Sequence, residues 1–509
     1  MVRLITLFGL YLWLGTATAF AHASLISTDP PEGSILQQSP TQLVLTFNEA
    51  VRPLVARLSA PGTTHLLDPP QVRGLSLIYP LPADLGRGSH LLSWRVTSAD
   101  GHPLAGASLF SIGAETGLSA PETAAPLTSR VLLWGARAGL IMAVLVGVGG
   151  ALFRAVLPDH RRGDGADTAL RRVVIIGLGL IVPVGGLQGL DLLGLPPGGL
   201  LSAAPWQQAI IGPPALALLL TAGALMAALR PGGWHAVAAL ILAAAGAATS
   251  GHAATAPPQW LMRPATGAHV AAAIMWIGAL IPLGVSLAAG RQTPLARFSQ
   301  NIPWVIGVLL ASGGAIAVVQ LGTVQALWTT VYGQVLAVKL GLVAALLLVA
   351  LANRIWLTRR AERGDTAPLR RAIAVEIGLA VLVVAVLSLW RFTPPPRTIP
   401  PPLPDLVQRF TAGPISATLI ITPPREGPIQ VRMTDLQDNG APIAAQSVQI
   451  EFTKPAYGLG PFRREVTGSQ DLGTFVLPLD GFWVVTLRVQ LSDFHAQDLR
   501  DLIEIAPAR

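Results

Sequence analysis

Cysteine is absent from all 509 residues of the chain. That excludes disulfide staples and thiolate metal sites, so any metal must be held by imidazole, carboxylate, thioether or main-chain donors. Charge is nearly as scarce. Asp, Glu, Lys and Arg make up 12% of the residues and the mean hydropathy is +0.56, whereas soluble domains average about 25% charged residues. No Walker-type phosphate loop and no phosphorylatable-aspartate motif occurs, which excludes transport driven by nucleotide hydrolysis. The formal net charge is +8, but the basic residues are mostly Arg in short loops between apolar runs. That pattern sets membrane orientation and points to no nucleic-acid partner.

What the chain does have is apolar runs, each long enough at ~20 residues to cross a bilayer core of ~30 Å. They predict an eight-helix transmembrane bundle, with spans near 131–155, 172–194, 206–229, 234–252, 266–289, 302–322, 332–356 and 371–391. Arg161, Arg162, Arg291, Arg297, Arg359, Arg360, Arg363, Arg370 and their neighbours crowd the loops after odd-numbered spans. The even loops between spans hold only Arg263, which places the odd loops in the cytoplasm. Arg3, the apolar Leu4–Leu14 run and Ala19-x-Ala21 read as a secretory signal over 1–21, cut to leave His22 as the first residue.

Alternating Leu43, Leu45, Phe47 and Leu92, Trp94, Val96 predict strands in a β-sandwich or barrel over 22–113. A linker over 114–130 joins it to the membrane domain, 131–391. A Pro-rich spacer over 392–404 leads to a second, immunoglobulin-like β-sandwich over 405–509. The fold class is therefore a membrane protein whose helical bundle is flanked by two all-β domains. Both β-domains, and both ends of the mature chain, face the periplasm of a bacterial inner membrane, and the lipid bilayer is an obligatory partner.

An exposed N-terminal histidine offers its α-amine and its imidazole to one metal ion. Asp100 and His102, two apart around Gly101, share a face and complete a tetragonal N/O set that suits Cu(II). Glu49, just past the Leu43–Phe47 strand, is expected as an axial ligand or as a neighbour of the ligands. Asp-Gly is also an ordinary turn pair, and the coupling to His22 is what favours a metal site. His65 and His90 are expected at the surface.

The segments His22-Ala23-Ser24-Leu25, Pro30-Pro31-Glu32-Gly33, Leu45-Thr46-Phe47-Asn48-Glu49 and Trp94 through Pro103 resemble the CopC family of periplasmic copper-binding proteins. The resemblance covers residues 22–113 and implies His22, Asp100 and His102 as Cu(II) ligands with Glu49 nearby. Some members of that family carry a Met-rich Cu(I) site. Here no Met falls between residues 22 and 120, so that second site is expected to be absent.

In the bundle, polar residues gather toward the periplasmic ends: Gln188, Asp191, His252, His269, Gln320 and Gln334, with Lys339 roughly 10 Å deeper. They suggest a polar funnel. His252 and His269 end consecutive spans and could share a metal, with Met262 in the loop between them as a soft donor for Cu(I). Glu376 lies toward the cytoplasm, as a pathway group or as a partner of Arg371. His160 and His235 are expected to be structural, as are the interfacial Trp134, Trp206, Trp260 and Trp328. His495 and Met433 make no metal spacing.

Thr249-Ser250-Gly251-His252, His269, Met275 through Leu280, Tyr332-Gly333-Gln334, Lys339-Leu340, Asn353-Arg354 and Leu369 through Glu376 resemble the CopD copper-resistance domain, over about 130–391. The resemblance implies passage of copper across the inner membrane as import, without enzymatic activity, with periplasmic copper chaperones as further partners. Three other readings stay open on the residues alone. One is a copper store or sensor, another a haem-bearing redox protein built on the two histidines, and the third an oxidative copper enzyme built on His22.

Overall fold

The structure is a computed structural model that describes residues 23, 25–31, 34–60, 63–82, 84–98, 101, 103–113, 116, 126–156, 165–291, 293–393, 395–398, 403–455, 459–467, 470–477, 479–492 and 495–506. Nine strands form the first domain: β1 Leu25–Asp29, β2 Ser34–Leu36, β3 Gln42–Phe47, β4 Arg52–Ala60, β5 Thr63–Leu66, β6 Gln71–Arg73, β7 Ser76–Pro80, β8 Gly88–Thr97 and β9 Pro103–Ile112. One sheet runs β1-β3-β7-β6 and the other β2-β9-β8-β4-β5. The period-2 pattern does its expected work. Leu43, Leu45 and Phe47 from the first sheet meet Leu92, Trp94 and Val96 from the second in one buried core, with Phe47 edge-on to Trp94 at 5.4 Å between ring centroids.

His65 is exposed on β5, but His90 is fully buried, against expectation. It stacks on Phe110 at 5.3 Å, and its Nε2 lies 3.2 Å from the Gly86 carbonyl. Its place on the inner face of β8 makes it a core residue.

The helical region contains α1 Leu127–Val156, α2 Gly165–Leu193, α3 Pro213–Ala228, α4 Gly233–Thr249, α5 Gln259–Ala288, α6 Thr293–Leu321, α7 Val331–Ala352 and α8 Ala367–Leu387. Six of these are long and apolar enough to cross a membrane; α3 and α4 are shorter apolar helices of 16 and 17 residues. The expectation of eight full spans is corrected accordingly. Pro213-Pro214 starts α3 well inside the expected third span, and Trp206 belongs to a separate short helix, Ala204–Ala209. Thr249 ends α4, so that His252 opens the short helix His252–Thr255. The fifth helix begins earlier than expected and absorbs both Met262 and Arg263, which were placed in a loop.

Small residues let the central helices touch. A Cβ on Gly149 of α1 would lie 2.1 Å from the Ile274 carbonyl oxygen of α5, and one on Gly278 would lie 2.3 Å from that of Leu145. By contrast α6 and α7 present apolar side chains outward, such as Val318 and Leu348, as lipid-facing helices do.

The last domain contains β10 Leu406–Ala412, β11 Ile415–Thr422, β12 Gly427–Asp438, β13 Ala441–Pro442, β14 Ser447–Lys454, β15 Leu459–Thr467, β16 Asp471–Leu477, β17 Gly481–Ser492 and β18 His495–Ile505. Its sheets run β10-β11-β12-β13, with β16 on β12, and β15-β14-β17-β18. Met433 is buried in their shared core and His495 is exposed.

Candidate functional site

His22, Asp100 and His102 lie outside the described residues, but the backbone around them is defined. Leu25 of β1 pairs with Phe47 of β3, and Arg52 of β4 pairs with Thr97 of β8. The same hairpin register joins Thr97 to Pro103. These pairings bring the chain next to His22, the Asn48–Val51 turn and the β8–β9 loop to one end of the sandwich. Glu49 is buried there. Gly101 donates its amide to the Ser98 carbonyl at 3.0 Å with φ at +84°, a turn that a glycine adopts without strain.

This end of the sandwich sits on the membrane domain. A Cβ on Gly101 would lie 2.5 Å from Pro214 Cγ at the start of α3, so the loop rests directly on the helix. Arg95 of β8 donates to the carbonyls of Asp191 (3.3 Å) and Leu192 (3.2 Å) at the C-terminal end of α2, where a cation meets the negative end of the helix dipole. Burial pulls the Arg95 guanidinium below its ordinary value, while the charge of Asp191 pushes it back up and Arg57 lowers it further. Gly194, just past α2 with φ at +68°, leaves room for that guanidinium; a Cβ there would lie 2.2 Å from it. Arg52 donates to the Gln208 side chain.

Two cavities meet under this contact. One, of about 280 Å³, lies between the domains and is lined by Arg52, Thr97, Ser98 and Gly101 from above and by Gln188, Gln208, Pro214 and Arg391 from below. The other, of about 410 Å³, lies within the bundle and is lined by His252, His269, Lys339, Arg137 and Trp390, again with Gln188, Pro214 and Arg391. The three shared residues form the neck. Arg391, on the 3-10 turn Ser388–Phe392 that continues α8, donates to Asp191 Oδ2 at 2.8 Å and reaches the Gly101 carbonyl at 3.4 Å. One side chain thus ties the β8–β9 loop to the helix that carries Gln188 and Asp191.

His269 is held in a defined tautomer. Its Nδ1 lies 3.1 Å from the Leu309 carbonyl oxygen, which can only accept, so Nδ1 carries the proton and Nε2 the lone pair. Ser312 Oγ is 3.3 Å from the same nitrogen. Gly313 makes the space, since a Cβ there would fall 2.9 Å from the ring Cε1. The main chain of His252 is fixed as well: its carbonyl accepts from Gln320 Nε2 at 2.7 Å and from Arg397 Nη2 at 3.3 Å. Lys339 Nζ stands 4.8 Å over the Trp390 ring, which stacks on Tyr332.

Of the residues expected in the funnel, His252, His269, Gln188 and Lys339 share this cavity, and Asp191 stands beside it through Arg391. Met262 is not among its described lining residues, being buried on α5 about two turns before His269. Gln334 is exposed and bonds to the Trp328 carbonyl, and Gln320 acts on the His252 backbone. Among the described residues no group of three or more His, Asp or Glu could hold a metal ion. The bundle therefore offers two imidazoles rather than a closed cage.

Glu376 accepts from Asn353 at 3.0 Å, not from Arg371, and lines a third cavity of about 510 Å³ with Arg354. Among the described residues that cavity shares no lining residue with the one at His269, and Trp276, about 10 Å further along α5 from His269, stands on its wall. His235 sits at the start of α4 with Nδ1 2.9 Å from the Pro231 carbonyl, a capping role. Arg137 and Arg391 escaped the sequence reading, although a charge inside an apolar run is the signal that could have found them.

A β-sandwich seated on a helical domain with six helices long and apolar enough to cross a membrane, with a cavity beneath the contact, has the architecture of a membrane protein whose β-domain adjoins a site among the helices. The CopC domain family matches residues 25–113 and the family described as Copper resistance protein D matches residues 293–390. A copper transport protein, CutJ of Bacillus subtilis (strain 168), is 27% identical over 508 residues, covering 90% of this chain and 88% of its own. Copper resistance protein C of Xanthomonas campestris pv. juglandis is 31% identical over 110 residues, 86% of its length and 19% of this chain. The crystal structure of CopC from Methylosinus trichosporium OB3b aligns over 19% of this chain and all of its own at 24% identity, with a TM-score of 0.16. The chain belongs to the copper resistance and transport family that joins a CopC domain to a CopD domain.

Proposed function

We propose that this protein captures Cu(II) outside the inner membrane and passes copper through its helical bundle into the cytoplasm. His22, Asp100 and His102 hold the ion on the sandwich, with Glu49 buried just before β4, whose Arg52 pairs with Thr97 beside the same loop. The observation that carries this reading is the seating of Gly101 on Pro214 and Arg391, at the neck where the two cavities meet. An ion released from the β8–β9 loop enters the neck at Gln188 and needs no diffusing carrier to reach His252 and His269.

His269 presents Nε2 as a neutral donor because Leu309 holds the proton on Nδ1. The cavity at Glu376, lined by α5, α6, α7 and α8 and sharing no described lining residue with the one at His269, serves as the exit. Passage requires the packing between the two cavities to loosen, and the protein works as a carrier rather than an enzyme. The Arg-rich odd loops support a cytoplasmic exit and periplasmic β-domains.

Electron paramagnetic resonance of the purified full chain with one equivalent of Cu(II) tests the capture site. A tetragonal nitrogen-coupled signal is expected in the native chain and is lost in His22→Ala and His102→Ala. An unchanged signal in both variants would remove the capture site from the reading.

A further inference from the structure

The cavity in the bundle is lined by three cations, Arg137 of α1, Lys339 of α7 and Arg391, and among the described residues by no carboxylate. Asp191 neutralises Arg391 from beside the cavity at 2.8 Å. A surplus of two positive charges then faces the open space. Arg137 buries its Nε with no hydrogen-bond partner among the described residues, and Lys339 has the Trp390 ring face beneath it. An aromatic face offsets an ammonium only weakly, and a guanidinium left without an acceptor at low dielectric is costly. A bare copper cation entering here would add to the repulsion instead of relieving it.

We propose that the cavity takes a carboxylate-bearing anion, held between the Arg137 guanidinium and the Lys339 ammonium, and that copper enters the bundle as a carboxylate complex. A planar guanidinium matches a carboxylate through two parallel hydrogen bonds, and the ammonium supplies a second charge. The space of about 410 Å³ corresponds to roughly a dozen waters at ~30 Å³ each, enough for a metal ion with one small polycarboxylate. His252 and His269 on the same wall then serve the metal while the two cations serve its counter-ligand. The identity of the cargo rests on the copper route proposed above; the anion site stands on the charges alone.

Citrate is the probe, used with the purified full chain in detergent and in a His102→Ala background that removes the outer copper site. Calorimetric titration with citrate alone is expected to show saturable binding. Arg137→Gln and Lys339→Gln are each expected to weaken it roughly tenfold or more, with Arg137→Lys, which keeps the charge, intermediate. Unchanged far-ultraviolet circular dichroism separates these losses from misfolding. Cu(II) is expected to reach His252 and His269 as the citrate complex and not from a carboxylate-free salt. Absence of saturable citrate binding to the native chain, or equal affinity in both Gln variants, overturns the proposal. Copper loading from the simple salt with citrate rejected also overturns it and leaves the copper route intact. Citrate binding with no copper at the histidines supports the anion site and sinks the copper route.

Discussion

Gly313→Ala isolates the geometry of His269 from the stability of the fold. The new methyl carbon would stand 2.9 Å from Cε1 and 3.2 Å from Nδ1, against ~3.5–4.0 Å for a comfortable carbon contact. The ring must retreat from α6 by about 0.6 Å or more. Leu309 and Ser312, the partners of Nδ1 at 3.1 and 3.3 Å, are both on α6, so both bonds lengthen toward or beyond the hydrogen-bonding limit. The lost bond costs about 1 kcal/mol, and replacing a helical glycine by alanine returns about the same. Net stability should barely change. Copper affinity at the bundle site should fall 10- to 100-fold, as is typical when a ligating histidine loses the partner that orients it. Gly314→Ala is the control, because a Cβ there meets nothing within 4 Å; it should stabilise the chain by up to about 1 kcal/mol and leave copper binding intact. Thermal melts and copper titrations of both variants decide the matter. Native affinity in Gly313→Ala, or an equal loss in Gly314→Ala, would refute the role given to His269.

Asp191→Asn strands Arg391 in a nearly dry site, where both side chains are under a tenth exposed, and should cost about 3–5 kcal/mol in unfolding. The double variant with Arg391→Met should recover part of that loss, read by thermal melting in detergent. Arg95→Ala removes the two hydrogen bonds to the end of α2 and should raise amide hydrogen exchange in residues 191–195 while leaving the sandwich core protected. Tyr79 is the one tyrosine between residues 22 and 113, and burial raises its hydroxyl to about 12. Its ordinary value is ~10, so the stability it confers is fully present below pH ~10 and is lost as pH rises toward 12. Phenolate absorbance of the 22–113 domain should appear near pH 12; a midpoint near 10 would contradict the burial. The Tyr79 hydroxyl has no hydrogen-bond partner among the described residues, so Tyr79→Phe should be neutral or mildly stabilising in a thermal melt.

The parts of the fold that follow from short-range periodicity were legible in the chain. Leu43, Leu45 and Phe47 alternate because one face of β3 is core, and the long apolar runs became helices because a bilayer-length run has little other use. What depends on distant partners was not legible. His90 looks like a strand-starting surface residue until Phe110, on the neighbouring β9, stacks on it. Met262 lies between two histidines in sequence, yet the early start of α5 buries it in the helix about two turns before His269, outside the cavity lining. The pairing of Asp191 with Arg391 spans 200 positions, which no local pattern can announce. His252 and His269 line one cavity. The cations around them change the chemistry expected there, because a polar funnel drawn from sequence carries no sign of its net charge.

Cytoplasmic copper in spheroplasted cells is the most direct measure of the central claim. Cells grown in supplemental copper would express either the native chain or the His252→Ala/His269→Ala variant at matched levels. A rise in cytoplasmic copper is expected with the native chain and none with the variant. A rise confined to the periplasmic fraction, and equal for both chains, would make the protein a copper store and contradict the route through the bundle.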